Sequence, residues 1–313
     1  MILNEVEYSH SMHPDISPKY YLDNFLTVLT SVSNSYSDLL LPEEDGFLDA
    51  FARLSPDAQA LLVRLLMRTR DVYPTSALAY PEINDIPAVL VELDATGLVW
   101  LDTPVSLDEL FAISTKPVLV SAFSQEGARA AFRKTELREL VSHLEQEERR
   151  LSAWLCQPDQ VAVRLLARPL VERFRLLFFG NLYQDWSEFV VTDLGHLRYE
   201  TIEFATNSRG FSSRQDIDTS LRIYELRALM DEAADLEPLH AETRQLAFDV
   251  SPHIQSRRER LKFHLGQAAE RRKDWELAHS IYQDCNYKGA RHRLMRVQEQ
   301  RAEWSEAYLT AEA

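Results

Sequence analysis

The stretch RFRLLFFGNLYQDWSEFVVTDLGHLRY, residues 173–199, holds the densest run of large apolar side chains in the chain. Its apolar residues recur at steps of three and four positions, which is the period of an α-helix. A helix with this pattern is apolar on nearly every side, and such helices lie in a protein interior. We therefore expect a buried helix here, at the centre of a largely helical domain.

The composition of the whole chain also favours helices. Only 8 of 313 residues are glycine, and alternating β-branched segments are rare. No window approaches the roughly 18–20 uncharged apolar residues that a membrane span needs. The beginning, MILNEVEYSHSMHP, lacks the basic and apolar regions of a signal peptide. Two cysteines, Cys156 and Cys285, are typical of reduced thiols, so we expect a cytoplasmic protein without a membrane partner.

The net charge of −15 is distributed unevenly along the chain. Residues 1–110 contain 5 Lys/Arg and 18 Asp/Glu, whereas residues 251–301 contain 12 and 6. Residues 116–175 are also basic on balance, with 11 and 8. Blocks of opposite sign permit a local basic surface on an acidic protein, so the net charge does not exclude a nucleic-acid partner.

The first part of the chain reads as a disordered tail, residues 1–18, followed by a winged helix-turn-helix domain, residues 19–105. We predict a helix over residues 20–40, an acidic turn PEEDG, and a helix from Ser55-Pro56 to about residue 70. A second helix begins after its cap Asp85, ends near Gly97 and leads into a short strand, LVWLD. This order is typical of a winged helix. On pattern alone, a generic helical bundle explains it equally well.

Residues 106–158 are predicted to form a SAP-like helical element. Ser106 and Glu109 have the spacing of a capping box, and a basic helix follows over residues 129–144. Leucines at helical spacing with a few basic residues are also typical of a solvated amphipathic helix, which is the alternative interpretation.

Residues 159–313 are predicted to form a helical, TPR-like domain. The segments DWELA (274–278) and EWSEA (303–307) lie 29 residues apart, which indicates a helical repeat. The chain stops six residues after the second segment, so we expect a repeat domain that is truncated at its C-terminus, with an open edge. Before it, residues 207–218 are rich in Ser and Arg. Such a loop can hold a phosphate, although an ordinary exposed loop is the simpler interpretation.

The predicted fold class is thus mainly α, with a winged-helix and SAP-like N-terminal region followed by a TPR-like helical-repeat domain. Basic side chains in each segment are the candidate DNA-binding residues, because contacts of Lys and Arg with phosphates supply most nucleic-acid affinity. These candidates are Arg64, Arg68, Arg70, Lys116, Lys134, Arg138, Arg209, Arg214, Arg257, Arg258, Arg271, Arg272 and Lys273. We predict no catalytic and no metal-binding residue in this chain.

Several segments together resemble the Fanconi-associated nuclease family, whose bacterial members carry a C-terminal VRR-type nuclease domain. The resemblance rests on segments that cover nearly all of the chain: YYLDNFLTVL (20–29), LLLPEE (39–44), FARLSPDAQALLVRLLMR (51–68), YPEI (80–83), STKP (114–117), FFGNLYQDWSEFVVTDLG (178–195), SRQDID (213–218) and the repeated DW-x2-A motif.

The resemblance implies a DNA-repair protein. In this family the N-terminal winged-helix and SAP-like region grips duplex DNA, and a TPR-like domain joins it to the catalytic domain. The family enzymes are metal-dependent phosphodiesterases that cleave 5′ flaps and digest DNA from 5′ to 3′ during interstrand crosslink repair. Mg²⁺ or Mn²⁺ in the catalytic domain activates the attacking water. A 5′-flap or branched duplex is then the expected partner, and the expected location is the bacterial cytoplasm, with nucleoid association on DNA.

Two features depart from the family pattern. The nearest match to the family's acidic cluster, Glu259 to Lys262, has the wrong spacing, so we expect that the nuclease domain is absent and that this chain alone is inactive. The loop DVYPTSALAY has no basic residue after Arg70, which weakens the expectation that the winged helix binds DNA.

Two other interpretations stay open. The chain could be a non-catalytic scaffold that binds a protein partner at its open repeat edge, and the acidic balance of residues 1–110 and the missing basic residues in the loop favour this. It could also be a fragment whose missing C-terminal half, the catalytic domain, restores the enzyme.

Overall fold

The computed structural model describes residues 19–144, 146–184, 186 and 209–312, and this part of the chain is mostly helical, as predicted. It divides into two compact units. The first unit draws its described residues from Met1–Ser31, Leu41–Glu172 and Gln184–Ile202, and the second from Val32–Leu40, Arg173–Tyr183 and Glu203–Ala313. The predicted tail, residues 1–18, lies outside the described residues. None of the described helices is long and apolar enough to cross a membrane.

The helix-turn-helix segment begins with four helices: α1 Tyr20–Tyr36, α2 Pro42–Arg53, α3 Pro56–Leu66 and α4 Ile86–Ala95. The predicted caps are confirmed, because Ser55 accepts from the Ala58 N–H and Asp85 from the Ala88 N–H. Gly97 also has the predicted left-handed conformation, with φ of 71°.

Three element boundaries in this segment differ from the prediction. The helix α1 is shorter than residues 20–40. The predicted turn PEEDG is instead the first part of α2, because the Glu44 carboxylate accepts from the Leu41 N–H at 2.9 Å and Pro42 suits a first helical turn. The helix α3 ends at Leu66 rather than near residue 70, since the Arg168 guanidinium donates to the Leu66 carbonyl.

A three-stranded antiparallel sheet lies in the first unit. Its strands are β1 Val72–Pro74, β2 Val99–Leu101 and β5 Ala162–Leu165, in the order β1-β5-β2. The central strand β5 pairs Val163 with Tyr73 on one side and with Leu101 on the other. It comes from beyond residue 158, so the strand that joins the sheet follows the SAP-like segment in sequence. The SAP-like segment is therefore inserted between β2 and β5.

The inserted segment contains strands β3 Pro104–Ser106 and β4 Glu148–Arg150, which pair, and helices α5 Leu107–Ile113, α6 Lys116–Ala122, α7 Lys134–Leu140 and α8 Leu151–Leu155. The capping box of Ser106 and Glu109 is confirmed. The predicted helix over residues 129–144 is shorter, because Glu136 caps the chain at the Arg133 N–H. The buried Trp154 donates from its indole nitrogen to the Val105 carbonyl at 2.9 Å, which fixes the base of the pair of strands.

The helix α9, Arg168–Phe179, contains the first part of the apolar stretch at residues 173–199. Phe174, Leu176 and Leu177 are buried, as predicted. The prediction of one helix through the whole stretch is wrong, since α9 ends at Phe179 and Gly180 follows with φ of 69°. Residues 185 and 187–199 of the stretch lie outside the described residues.

The remaining helices of the second unit are α10 Arg214–Glu232, α11 Glu237–Gln245, α12 Pro252–Arg271, α13 Trp275–Gln283, α14 Ala290–Gln300 and α15 Trp304–Glu312. Each of the last four packs against its neighbour in sequence. The two related segments begin α13 and α15, which alternate in this row, and their alanines Ala278 and Ala307 are both buried. The repeat is thus visible in the helix order, and its TPR-like type stays a prediction.

Candidate nucleic-acid interface

Arg64 was predicted to face DNA, but its side chain is engaged inside the first unit. Its guanidinium donates to Glu82 Oε1 from Nε at 2.8 Å and from Nη2 at 2.6 Å. It also stacks on Tyr21, 4.0 Å from the ring centroid, and the Tyr21 hydroxyl donates to the same carboxylate. Arg64 therefore holds α3 against α1 and the YPEI segment, and DNA binding by it stays a prediction that the geometry does not favour.

Arg68 and Arg70 lie at the end of α3. The Arg68 guanidinium is between two rings, 5.2 Å from the Tyr73 centroid and 5.4 Å from that of Tyr80. Arg70 is exposed. The backbone beneath them is fixed by Arg168, which donates to the Arg68 carbonyl at 2.7 Å and the Arg70 carbonyl at 2.9 Å. Both guanidinium groups thus project from a rigid loop.

The three basic candidates of the SAP-like segment differ in the contacts that their side chains make within the protein. Lys134 donates from Nζ to the Ser114 carbonyl at 3.0 Å, and Arg138 pairs with Asp108 at 2.9 Å. Lys116 is partly exposed in the first turn of α6. These contacts join α7 to α5 and leave part of the positive charge at the surface.

The predicted phosphate loop at residues 207–218 is mainly a helix start. Its described residues begin at Arg209, which pairs with Asp38 and donates to the Ser35 carbonyl at 3.3 Å. Ser213 caps α10, so Arg214 already belongs to the helix and pairs with Asp218 at 2.8 Å. Both arginines serve contacts within the second unit.

Asp216 of the SRQDID segment is a buried carboxylate that accepts hydrogen bonds from the backbone. The side chain is buried, and its carboxylate accepts from the Ser251 N–H at 2.8 Å and from the Ser212 N–H at 3.1 Å. Burial acts to raise the pKa of Asp216, but these backbone donors hold the pKa below its usual range. The carboxylate therefore stays charged and joins the start of α10 to the start of α12.

The basic candidates on α12 do not form one surface. Arg258 is buried, with its guanidinium over the Phe248 ring at 4.3 Å and donating to the Ala247 carbonyl at 2.9 Å. Its expected place on an exposed basic face is therefore wrong. Arg272 donates to the Ala234 and Met230 carbonyls and so caps the end of α10. Arg271 and Lys273 are exposed.

A partly different set of basic residues lies along two helices of the second unit. We call it the α12 basic surface, and it consists of Arg227 from α10 with Arg257, Arg260, His264 and Arg271 from α12. The α12 members follow at helical steps, so they share one side of that helix. Burial lowers the pKa of His264, and the positive charges of Arg227, Arg260 and Arg271 lower it further.

Two nitrogen atoms of the α12 basic surface are buried without a hydrogen-bond partner among the described residues: Arg257 Nη1 and His264 Nε2. Arg257 uses Nη2 to donate to the Gly180 carbonyl at 2.8 Å, and His264 Nδ1 lies 3.2 Å from Gln267 Oε1. Arg257 Nη1 is a donor, and a buried donor without a partner costs about 1–3 kcal/mol of free energy. His264 Nε2 is an acceptor when Nδ1 donates to Gln267 Oε1, and it becomes a donor only when the ring is protonated.

Two tyrosines lie beside the α12 basic surface. Tyr183 is 69% exposed and meets Tyr224 edge to face, with ring centroids 5.5 Å apart. Burial raises the pKa of Tyr224, and the charges of Arg257 and Arg227 oppose that rise. Positive charge with exposed aromatic rings is the combination that binds single-stranded nucleic acid. The prediction from the sequence omits Arg227, Arg260, His264 and both tyrosines, although the helical spacing of Arg257, Arg260 and Arg271 is a usable signal.

The second helix of the helix-turn-helix offers little to a DNA groove. The exposed positions of α4 are Pro87, Ala88, Val91, Asp94 and Ala95. None of these side chains carries a hydrogen-bond donor, whereas recognition helices read bases with Arg, Lys, Asn and Gln. The geometry therefore places the candidate interface on the α12 basic surface rather than on α4.

The nearest match to a nuclease motif has a structural role. Glu259 accepts from the Asn286 N–H at 2.8 Å, and Lys262 is buried, donating to the Asp284 carbonyl at 2.9 Å. Within the described ranges, no three His, Cys, Asp or Glu side chains are grouped so that they could hold a metal ion.

Comparisons with known proteins match both N-terminal segments to described domains. The sequence matches the FAN1 HTH domain over residues 19–101 and the Fanconi anemia-associated nuclease SAP domain over residues 104–154. It is 38% identical over 294 residues to the Fanconi-associated nuclease 1 homolog of Pseudomonas aeruginosa, covering 94% of this chain and 52% of that protein. The Arabidopsis thaliana homolog is 27% identical over 249 residues, covering 75% and 28%.

The fold is similar to that of a solved relative. The crystal structure of paFAN1 bound to 5′-flap DNA with a 2-nucleotide flap and a gap superimposes with a TM-score of 0.89 at 38% identity. The match covers 96% of this chain and 55% of that one. This chain thus spans about half the length of the Pseudomonas aeruginosa homolog and of the paFAN1 chain.

Proposed function

Because the chain belongs to the Fanconi-associated nuclease family, we propose that it is the DNA-binding and scaffolding portion of a structure-specific nuclease. The DNA would be a 5′-flap or branched duplex met during DNA repair, including interstrand crosslink repair. The family match and the flap DNA bound by the related paFAN1 support this substrate class. The proposed setting is the bacterial cytoplasm, with the protein on the nucleoid when it holds DNA.

The observation that carries DNA binding is the α12 basic surface. Its four arginines and His264 lie on α10 and on one side of α12, and one guanidinium donor, Arg257 Nη1, lacks a partner among the described residues. Phosphate oxygens accept several charge-assisted hydrogen bonds at once, and guanidinium groups match them geometrically. Tyr183 adds an exposed ring on which an unpaired base can stack. A single-strand end or flap base therefore fits this surface better than the middle of a duplex.

The SAP-like segment is the proposed second contact. Lys116 and Lys134 carry charge at its surface, and phosphate contacts of this kind position a duplex without reading its sequence. Contacts from Arg64, Arg209 and Arg214 are not needed, since these side chains hold the fold together.

Strand cleavage is not assigned to the described residues. The family's chemistry needs Mg²⁺ or Mn²⁺ held by several carboxylates, and no described cluster fits that ligand set. We therefore assign 5′-flap cleavage and 5′–3′ exonuclease activity to the family's VRR-type catalytic domain.

The test is binding of the chain to a labelled 5′-flap DNA and to plain duplex across a salt series. In the variant carrying Arg227→Gln, Arg260→Gln and Arg271→Gln, all three changed side chains are exposed, so the fold should be kept. Flap affinity should fall at least tenfold, and the slope of log affinity against log salt should decrease by about 2–3.

The matched control removes three charges elsewhere on the second unit. Lys288, Arg291 and Arg296 are exposed near or on α14, and their change to Gln should alter flap affinity less than threefold. Equal losses in both variants would mean that only net charge matters. Undiminished binding in the first variant would refute the assignment of the α12 basic surface.

A protein-interaction scaffold is the second candidate function, and one observation favours it. Trp304, Tyr308 and Leu309 on α15 are each more than 60% exposed, and a cluster of large apolar side chains suits a protein partner or a further domain. A chain that binds no flap DNA at low salt, but that is captured by a partner through this helix, would support the scaffold instead.

A further inference from the structure

A cavity of about 400 Å³ lies in the first unit, whereas the α12 basic surface belongs to the second unit. It is formed where the end of α3, strand β1 and the last residue of α5 meet, and its lining includes Met67, Tyr73, Ala77 and Ile113. Cavities of this size are at the lower end of those that enclose small ligands, and they combine an apolar lining with a few polar groups.

The polar groups of this cavity are positively charged. Arg68 and Arg70 belong to its lining, and neither forms an ion pair within the described residues. The nearby acids have other partners, because Asp71 pairs with Arg168 and Glu82 pairs with Arg64. The cavity therefore keeps two guanidinium groups that no described carboxylate neutralises, which favours an anionic ligand.

The cavity is also preformed. Arg168 donates to the carbonyls of Leu66, Arg68 and Arg70, at distances of 3.2, 2.7 and 2.9 Å, and so fixes the loop from which both guanidinium groups project. Arg68 is further held between Tyr73 and Tyr80. A rigid site loses less conformational entropy on binding than one that must order itself.

We propose that this cavity binds one nucleotide, with the base against the apolar lining and the phosphate at Arg68 and Arg70. Met67, Tyr73 and Ile113 supply the apolar part of the lining, against which a planar base would pack. An extrahelical or terminal nucleotide of bound DNA would occupy it. In that setting the site adds to the proposed DNA-binding function, on which this use of it rests.

The experiment measures binding of three probes to the full chain by calorimetry at low salt: deoxyadenosine monophosphate, deoxyadenosine, and inorganic phosphate. The monophosphate should bind at least tenfold more tightly than either part, because only it fills the cavity and reaches both arginines. Equal binding of monophosphate and phosphate would show a charge effect only and would refute a nucleotide site.

Two variants locate the binding. The double change Arg68→Gln and Arg70→Gln should weaken monophosphate binding at least tenfold, whereas Arg53→Gln with Arg129→Gln, which removes two exposed charges outside the cavity, should change it less than twofold. Because Arg68 also packs on two tyrosines, Ala77→Trp provides an independent check. Ala77 is exposed at the cavity, and an indole there should block binding with the circular dichroism unchanged.

The outcomes separate this site from the DNA-binding proposal. If Ala77→Trp binds monophosphate as well as the parent chain, the cavity is not the site. If the monophosphate does not bind but flap DNA does, the nucleotide site is refuted and DNA binding stands. If the monophosphate binds and flap DNA does not, the nucleotide site stands and the DNA-binding proposal is refuted.

Discussion

Replacing Gly266 with alanine places a methyl group where the ring of Tyr282 already lies. A Cβ at this position of α12 would be 2.5 Å from Cε1, 2.7 Å from Cζ and 3.0 Å from Cδ1 of that ring. The ring cannot easily move, since Tyr282 is 2% exposed and its hydroxyl donates to Glu270 Oε1 at 2.5 Å. The close approach of α12 and α13 therefore depends on this glycine.

The size of the effect follows from two opposing terms. Overpacking a well-ordered core costs about 1–3 kcal/mol, and contacts this short place Gly266→Ala at the upper end. Glycine to alanine inside a helix gains about 0.5–1 kcal/mol. We expect a net loss of about 2 kcal/mol, and urea unfolding followed by circular dichroism should show it as a lower midpoint. Hydrogen exchange should localise the loss to α12 and α13.

Gly46 supplies the matched control, because it lies inside the helix α2 and no described atom is within 4 Å of the place that an added methyl group would occupy. Gly46→Ala should therefore stabilise by about 0.5–1 kcal/mol. In a Tyr282→Leu background, Gly266→Ala should lose most of its cost, since the ring is gone. If Gly266→Ala were as stable as the parent chain, the close packing of α12 on α13 would be refuted.

Three further predictions address the first unit and the pH dependence of DNA binding. Arg64→Gln should destabilise the chain by about 1–3 kcal/mol in the same urea assay, because it leaves the Glu82 carboxylate without its charged partner. The control Arg70→Gln should change stability by less than about 0.5 kcal/mol. Equal effects of the two changes would refute the structural role of Arg64. A protein fragment that ends at residue 105 lacks the central strand β5 and should show no cooperative thermal transition, whereas a fragment that ends at residue 180 should unfold cooperatively. A shorter fragment that is stably folded would contradict the strand order. Burial holds the pKa of His264 below its usual value, and a bound phosphate favours the protonated ring. Flap affinity should therefore rise as pH falls from 8 to 6, and His264→Gln should remove that rise. If the affinity of the parent chain does not change with pH, His264 does not contact the DNA.

Features that depend on neighbouring residues could be predicted from the sequence. The caps Ser55, Asp85 and Ser106 each bond a backbone N–H three residues away, so the motif and its geometry are contained in one short segment. The position of β5 could not be predicted in this way, because its partners Tyr73 and Leu101 lie about 90 and 60 residues earlier in the chain. Nothing local in Ala162–Leu165 specifies which edges it joins.

The candidate interface likewise has one part that depends on neighbouring residues and one part that depends on distant residues. Arg257 and Arg258 are adjacent in sequence, yet a step of about 100° along a helix turns one toward the surface and the other into the core. Helical spacing alone would have grouped Arg257 with Arg260 and Arg271. Arg227, by contrast, reaches this group from α10, and only the packing of α10 against α12 brings it there.

Arg164 shows how the inserted segment is joined to the sheet. From the central strand β5 it donates to Glu109 Oε1 at 2.6 Å and Oε2 at 2.9 Å, and to the Pro104 carbonyl at 3.0 Å. The same Glu109 carboxylate accepts from the Ser106 N–H, so one side chain both starts α5 and receives the strand's arginine. The pKa of Glu109 is held below its usual range by Arg164 and by the Ser106 backbone donor, against the effect of burial. The capping box seen in the sequence is therefore also the point at which the SAP-like segment is bound to the helix-turn-helix sheet. The two segments belong to one structural unit. The matched HTH domain nevertheless ends at residue 101, and the matched SAP domain begins at residue 104.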